Sequence, residues 1–224
     1  MKALLFDMDG VLVDVSLSYR EAIRATVRHF SESHIGDDEI QGYKDRGGLN
    51  NDWDLTLAAL EERGVSAGRG EVVEVFQSLY RGNDFDGLIR NESWLLEQAI
   101  LENLARGFRL GIVTGRPAAE TLFTLRRFGV AGFFPAVVTM DDIPPGRGKP
   151  DPLGVRMAVS KLGVQADGYY AGDSIDDMKA ALGAGLIPLG IVPAGAGSGQ
   201  RSALLARGAW RVLDDINRIE EVLR

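Results

Sequence analysis

Met1-Lys-Ala-Leu-Leu-Phe-Asp7-Met-Asp9-Gly10 opens the chain, and in it a short apolar run ends on two carboxylates two residues apart. Such a run predicts a buried β-strand, and side chains two positions apart at a strand end point the same way. Asp7 and Asp9 should therefore face one site at the carboxyl end of a sheet, where open α/β sheets bind ligands. Two like charges held this close repel each other, so the site must take up a cation or a proton.

The composition is that of an ordinary globular protein, with 45% apolar and 25% charged residues among 224. The net charge is −7, and no cluster of Lys and Arg stands out, which argues against a nucleic-acid partner. Cysteine is absent, which excludes disulfides and fits a reducing compartment. No export signal or membrane-spanning stretch is visible, so we expect a cytoplasmic protein without a membrane partner.

Short apolar strands alternate with helical patterns after about residue 90. Strands are predicted at residues 2–6, 109–113, 136–139, 168–171 and 187–192. Helices are predicted near residues 92–106, 117–128, 152–162, 176–183, 200–207 and 214–223. This alternation predicts the α/β fold class, with a parallel sheet covered by helices on both faces.

Residues 15–88 follow a different pattern, because they contain helical segments separated by glycines and no convincing strand. Helices are predicted from Ser16 or Ser18 to about Phe30, from Asp52 to Arg63, and from Glu71 to Tyr80. One interpretation is a few more helices packed on the core. We favour an inserted all-helical unit, because about 75 residues exceed what one crossover helix needs. The predicted organisation is a core of residues 1–14 and 89–224 and an insertion of residues 15–88.

A second chemical signal follows the strand at residues 109–113, where Thr114-Gly115-Arg116-Pro117 precedes a helix. Thr114 offers a hydroxyl donor, Gly115 an unhindered backbone N–H, and Pro117 suits a first helical turn. These groups can cradle an anion at the start of the helix. Taken alone, such a turn is more often only structural.

A third signal is Lys149 in Gly148-Lys149-Pro150-Asp151-Pro152. Asp151 and Pro152 are typical of a helix start, and Lys149 is then a solvated surface cation. The functional interpretation makes Lys149 a fixed positive charge directed at a phosphate and at Asp7.

A fourth signal is Gly172-Asp173-Ser174-Ile175-Asp176-Asp177. Asp173 ends a predicted strand and Asp177 lies one helical turn later, so both can face one point. Their oxygens suit Mg²⁺, whereas the plainer interpretation is an acidic helix start that the helix dipole stabilises. The four signals all fall at the ends of predicted parallel strands, and together they predict one shared active site.

These motifs resemble those of the haloacid dehalogenase-like (HAD) hydrolase superfamily, subfamily IA. The resemblance covers the whole chain and implies a Rossmann-like core with an inserted helical cap of type C1. The segment Gly47-Gly48-Leu49-Asn50-Asn51-Asp52-Trp53 is similar to that of a small clade, some members of which occur in histidine-biosynthesis contexts. The resemblance implies a phosphatase that hydrolyses a small phosphorylated metabolite. Dehalogenation is disfavoured, because superfamily members that cleave carbon–halogen bonds lack an acid at the position of Asp9.

The resemblance also implies a role for each matched residue. Asp7 is the nucleophile that forms an aspartyl-phosphate, and Asp9 protonates the leaving alcohol and later deprotonates the attacking water. Thr114 and the Gly115 N–H hold phosphate oxygens, and Lys149 steadies the nucleophile. The implied cofactor is Mg²⁺, bound by Asp7, the Asp9 carbonyl oxygen and Asp173, with Asp177 holding metal-bound waters.

In C1 proteins the cap closes over the site, so the loop at residues 44–53 is the candidate for contact with the leaving group. We expect Arg46 and Asn50 to bind substrate. Arg116, a further candidate for substrate or phosphate binding, either reaches the same space or only stacks on the start of the following helix. The alternative is that Asn51 or Asp52 only caps the following helix.

Other functions stay open at this point. One is a phosphomutase on the same scaffold, similar to β-phosphoglucomutase; phosphate release without an added acceptor separates it from a phosphatase. Another is C–P bond cleavage, for which Lys44 is the cap lysine that can form a Schiff base. From a different class, a catalytically silent metabolite-binding protein predicts the loss of a motif residue, and none is lost. We expect a monomer or a homodimer.

Overall fold

The computed structural model describes residues 1–46, 49, 51–192 and 199–223. The chain divides into two compact units: Met1–Asp14 with Trp94–Arg224, here called the sheet unit, and Val15–Ser93, the helical unit. The helical unit extends beyond the boundary expected at residue 88. Hydrogen bonds tie the added residues to this unit. Glu92 accepts from Ser18 and Tyr80 of the helical unit, at 3.2 and 2.8 Å.

Six parallel strands form the sheet of the sheet unit. Their bounds are β1 Lys2–Phe6, β2 Phe108–Val113, β3 Ala136–Val138, β4 Gly168–Gly172, β5 Ile187–Ile191 and β6 Arg211–Leu213. The spatial order is β3-β2-β1-β4-β5-β6. Phe6 of β1 is in register with Ile112 of β2 and with Ala171 of β4. The carboxyl ends of these three central strands therefore lie side by side, directly before Asp7, Thr114 and Asp173.

The helical unit is built from helices that pack on one another. Their bounds are α1 Tyr19–Ser31, α2 Asp37–Arg46, α3 Asp52–Glu62 and α4 Arg69–Tyr80, followed by the 3₁₀ turn Leu88–Asn91. Tyr19 of α1 stacks on Tyr80 of α4 with ring centroids 4.0 Å apart. Sequence patterns did not predict α2, because Gly42 interrupts a mostly polar stretch. Its Ile40 and Tyr43 are nevertheless buried, and acidic residues at its start and basic ones at its end suit the helix dipole.

The helices of the sheet unit pack against the sheet. Their bounds are α5 Gln98–Gly107, α6 Ala118–Arg127, α7 Leu153–Leu162, α8 Ile175–Ala184 and α9 Gln200–Ala206. Leu5 of β1 packs in one buried cluster with Val155 of α7 and Ala181 of α8. The next residue, Phe6, points to the other face, where it packs edge-to-face on Phe134 with centroids 6.2 Å apart. The predicted α/β class with a parallel sheet is confirmed.

One strand was missed, and two helix predictions were wrong. The strand β6 was missed because only two apolar residues stand between Arg211 and Asp214; its Val212 packs with Met178 and Leu204 in a small apolar cluster. The helix expected from residue 92 begins at Gln98, since Ser93–Trp94 is extended, as is Val13–Asp14. The last expected helix is a 3₁₀ helix, Ile216–Glu221, and 3₁₀ turns also occur at Ala131–Phe133 and Met140–Asp142.

Candidate active site

Three carboxylates meet at the carboxyl edge of the sheet. Asp7 follows β1, Asp173 follows β4, and Asp177 lies in the first turn of α8. One carboxylate oxygen from each residue lies within 4.8 Å of the other two. Burial raises the pKa of Asp7 well above its usual range; the positive charge of Lys149 opposes this rise, and the neighbouring carboxylates add to it. Asp7 is therefore a buried carboxyl group in strongly negative surroundings.

Lys149 joins this carboxylate cluster. Its Nζ lies 2.8 Å from Asp7 Oδ1 and 2.6 Å from Asp177 Oδ1, and the side chain is 6% exposed. Burial alone would lower the pKa of Lys149, but the attraction of Asp177 and Asp7 outweighs it and raises that pKa well above its usual value. Lys149 is therefore a buried, charged lysine and not a solvated surface cation.

Both oxygens of Asp177 are held by donors of the protein. Oδ1 accepts from Lys149 and from the Tyr170 hydroxyl at 3.0 Å. Oδ2 accepts from the backbone N–H and the hydroxyl of Ser174, at 3.0 and 2.6 Å. Asp177 thus holds Lys149 in place. Sequence reasoning missed Tyr170, because a tyrosine inside the apolar run of β4 looks like an ordinary core residue.

Gly172 is required where the strand and the helix approach each other most closely. A Cβ atom at this position would lie only 2.5 Å from the Cγ of Asp177. Any larger residue would therefore push the start of α8 away from the end of β4. The glycine before Asp173 lets both acids reach the same point.

Thr114 and Gly115 follow β2, on the other side of Asp7. Thr114 is buried, and its backbone N–H donates to the Val138 carbonyl at 3.0 Å. Gly115 is exposed, and a Cβ atom placed there would have no protein atom within 4 Å. The chain beside Asp7 therefore leaves room for a ligand against the Gly115 backbone.

Arg116 and Asp9 form an ion pair with each other. Nε of Arg116 donates to Asp9 Oδ1 at 2.7 Å, and Nη2 donates to the same oxygen. The guanidinium is 1% exposed, because the start of α6 holds it close to the sheet. The carboxylate of Asp9 is not one of the three in the cluster.

The residues predicted in the helical unit have local partners. Nη1 of Arg46 donates to Glu62 at 2.6 Å, and its guanidinium lies 4.7 Å from the ring centroid of Tyr43. Lys44 forms an ion pair with Asp52 at 3.2 Å. The side chain of Asn51 caps α3 by accepting from the Trp53 N–H at 2.9 Å. Asn50 lies outside the described residues.

The carboxylate cluster suits a divalent cation. When ionised, its three carboxylates and Lys149 leave two net negative charges, which one divalent ion balances. An octahedral ion with bonds of about 2.1 Å holds opposite ligands about 4.2 Å apart, so oxygens within 4.8 Å need only small shifts to bind it. Carboxylate oxygens are hard ligands of the kind that Mg²⁺ and similar ions prefer.

The end of the parallel sheet carries a buried carboxyl group, a buried lysine and a carboxylate cluster that can hold a cation. Enzymes that act on anionic substrates use groups of these types. The chain belongs to the haloacid dehalogenase-like hydrolase family, whose model matches residues 1–185. The family that the motifs predicted is thus confirmed. Its phosphatases generally use a divalent metal, and the carboxylate cluster has the ligands to bind one.

Individual relatives carry different names. An imidazoleglycerol-phosphate dehydratase of Phytophthora nicotianae is 36% identical over 200 residues, but the match covers 86% of this chain and only 43% of that protein. A phosphoglycolate phosphatase of Cupriavidus necator is 29% identical over 225 residues, covering 99% of this chain and 92% of the relative. The crystal structure of a candidate beta-phosphoglucomutase from Thermotoga maritima superposes with a TM-score of 0.69 at 26% identity, and each chain is fully covered.

None of the helices in the described ranges combines the length and the apolar character that a bilayer crossing requires.

Proposed function

We propose that this protein is a Mg²⁺-dependent phosphatase that hydrolyses a phosphate monoester of a small metabolite through an aspartyl-phosphate on Asp7. The observation that carries the proposal is the contact between Lys149 and Asp7 at 2.8 Å, inside a carboxylate cluster that can hold a cation. A phosphate dianion cannot approach a bare carboxylate without several kcal/mol of repulsion at about 4 Å. Lys149 and a bound cation offset this repulsion at the attacking oxygen.

The reaction has two steps. An oxygen of Asp7 forms a bond to phosphorus, the bond from phosphorus to the leaving oxygen breaks, and Asp9 gives that oxygen a proton. A water molecule then attacks the phosphorus of the aspartyl-phosphate and gives its proton to Asp9, which releases phosphate and restores Asp7. Thr114 and the Gly115 N–H hold the other phosphate oxygens in both steps.

We assign the cation as Mg²⁺. Asp7 and Asp173 would supply carboxylate ligands, Asp9 would supply its carbonyl oxygen, and Asp177 would orient the water molecules around the ion. When bound, the ion offsets the charge of the phosphate and of the nucleophile. Support for this assignment comes from the ligand type and from the two net negative charges of the cluster.

The substrate class is a small phosphorylated metabolite. Two relatives carry names that contain small phosphorylated acids or alcohols, phosphoglycolate and imidazoleglycerol phosphate. Neither name transfers to this chain as a substrate, so both compounds belong in a first screen. We propose no nucleic-acid or membrane partner and a monomeric or homodimeric state.

The experiment that tests the proposal is a screen for inorganic phosphate release with Mg²⁺ present. Sugar phosphates, phosphoglycolate, imidazoleglycerol phosphate, histidinol phosphate and nucleotides form the panel. Asp7→Asn protein, purified in the same way, tests whether the release depends on Asp7. Release that Asp7→Asn abolishes supports the proposal, and release that survives in Asp7→Asn protein refutes Asp7 as the nucleophile.

A phosphomutase is the second candidate, and the Thermotoga maritima structural neighbour favours it. A mutase returns the phosphoryl group to a sugar instead of giving it to water. Wild-type protein incubated with a sugar 1-phosphate would then yield the 6-phosphate with little free phosphate. Stoichiometric phosphate release from the same substrate contradicts the mutase.

A further inference from the structure

Asp9 does not act alone, because its carboxylate is bound to the guanidinium of Arg116. Both Nε and Nη2 of Arg116 donate to one oxygen of Asp9, Oδ1. The Nε–Nη2 edge of a guanidinium can bind a carboxylate or a phosphate with two parallel hydrogen bonds. It is already committed to Asp9, so it is not available to a substrate phosphate while this pair is intact.

Arg116 is held by hydrogen bonds to three other parts of the chain. Its backbone N–H donates to Thr114 Oγ1 at 3.2 Å, and its carbonyl accepts from the Met140 N–H at 3.1 Å. Its Nη1 donates to Oγ1 of Thr124, eight residues later within α6, at 3.2 Å. The guanidinium therefore has one geometry, whereas the Asp9 side chain is 23% exposed and has no other recorded side-chain bond in the described structure. Arg116 determines where the Asp9 carboxylate lies.

We propose that Arg116 is the positioning residue of Asp9: it holds Oδ1 so that Oδ2 is presented to the leaving-group oxygen. This inference rests on the proposed phosphatase reaction, in which Asp9 transfers the proton. In this inference Arg116 assists protonation of the leaving group and does not bind the phosphate. The consequence is a dependence on the leaving group, because only a poor leaving group needs the proton.

The leaving group provides the readout. An alkoxide from an alkyl phosphate must be protonated as it departs, whereas p-nitrophenolate is stable without a proton. The ratio kcat/KM reports the steps up to the first irreversible one, which is departure of the leaving group. Loss of a positioned general acid typically costs about 100-fold or more in rate. That loss should fall on the alkyl phosphate alone.

The experiment compares Arg116→Met with wild-type protein on the best alkyl phosphate of the screen and on p-nitrophenyl phosphate. We expect kcat/KM to fall about 100-fold for the alkyl phosphate and less than about threefold for p-nitrophenyl phosphate. The inhibition constant of inorganic phosphate should not change. Arg126→Met, the same substitution at an exposed position of α6, is the matched control and should alter neither substrate.

A double-mutant cycle with Asp9→Asn tests whether Arg116 acts through Asp9. Adding Arg116→Met to Asp9→Asn should produce no further loss on the alkyl phosphate. Arg116→Lys, which keeps the charge but not the fork, should show a smaller loss with the same leaving-group preference. If thermal denaturation shows that Arg116→Met does not fold, Arg116→Lys is the test variant in its place.

Equal losses of kcat/KM on both substrates, with weaker inhibition by inorganic phosphate, would overturn the inference. Such a result would show that Arg116 binds the phosphate. An unchanged alkyl rate, or a full additional loss in the Asp9→Asn background, would overturn it as well. Failure of the phosphatase proposal looks different, because wild-type protein then releases no phosphate from either substrate and the inference fails with it.

Discussion

Lys149 and Asp177 lie 28 residues apart in sequence and meet as a 2.6 Å ion pair in which neither side chain is more than 6% exposed. A buried pair of this kind is costly unless every charge has partners. Here the lysine also contacts Asp7, and Asp177 also accepts from Tyr170 and Ser174. The pair therefore fixes the positive charge that faces Asp7, and it ties the loop before α7 to the start of α8.

Asp7→Asn should abolish phosphate release while the protein stays folded. An amide cannot form the acyl phosphate, and loss of a nucleophile of this kind costs at least about 10³-fold in kcat. Steady-state phosphate release and thermal denaturation measure the two effects. The matched control is Asp167→Asn, an exposed aspartate just before β4, at the opposite edge of the sheet, which should keep full activity. Comparable loss in both variants would mean that the substitution acts through folding.

Tyr170→Phe should lower kcat with a small loss of stability. The change removes the hydroxyl that bonds Asp177 and lies 3.4 Å from Lys149 Nζ. Loss of such a supporting partner typically costs about 10-fold in activity, and a lost hydrogen bond about 1 kcal/mol in the free energy of unfolding. Tyr169→Phe, in the neighbouring position of β4, is the control and should keep kcat. Full activity in Tyr170→Phe would show that Asp177 and Lys149 need no support from this hydroxyl.

Gly115→Ala should weaken substrate binding without changing stability. An added Cβ meets no protein atom within 4 Å, so the folded chain accepts it. The methyl group would occupy the space proposed for the substrate phosphate. We expect kcat/KM to fall about 10-fold, equivalent to about 1.4 kcal/mol. Gly132→Ala is equally unhindered and lies in the turn Ala131–Phe133, so it should be neutral. Unchanged kinetics in Gly115→Ala would remove Gly115 from the phosphate site.

The central part of the fold was predictable because its signals are local. Residues 3–6 are apolar and fully buried, and they end directly on Asp7, so the strand and the site follow from one stretch. Thr114 and Asp173 likewise lie directly after the ends of β2 and β4, as their sequence positions predicted. The missed elements have weak local signals: β6 contains only two apolar residues, between Arg211 and Asp214, and α2 is mostly polar with a glycine inside.

The partners of site residues were less predictable, because they depend on contacts across long sequence separations. Nothing local distinguishes Tyr170 from a core tyrosine; its role comes from Asp177 seven residues later. Arg116 lies next to the Thr114 turn, yet its partner is Asp9, 107 residues earlier. Spacing identifies which residues reach one edge of the sheet, but it does not determine which of them bond to each other.

Mg²⁺ should bind more tightly as the pH rises. Burial raises the pKa of Asp7 above its usual value of 3.8, so the metal-free carboxyl keeps its proton to a higher pH, and the ion must displace that proton. Below the raised pKa, affinity should increase about tenfold per pH unit, with one proton released per ion. In the metal-free protein the folded state binds more protons than the unfolded state, so its stability falls as the pH rises from 3.8 towards the raised pKa.

Isothermal titration calorimetry of the chelator-treated protein, in two buffers with different ionisation enthalpies, measures both the affinity and the released proton. Asp7→Asn provides the control, because its amide has no proton to displace, and its Mg²⁺ affinity should vary less with pH. Adding Mg²⁺ should restore the phosphate release that the chelator removed, whereas Ca²⁺ should restore little, since it relaxes the octahedral geometry. A Mg²⁺ affinity in wild-type protein that does not weaken as the pH is lowered towards 3.8 would show that Asp7 is not the protonated ligand.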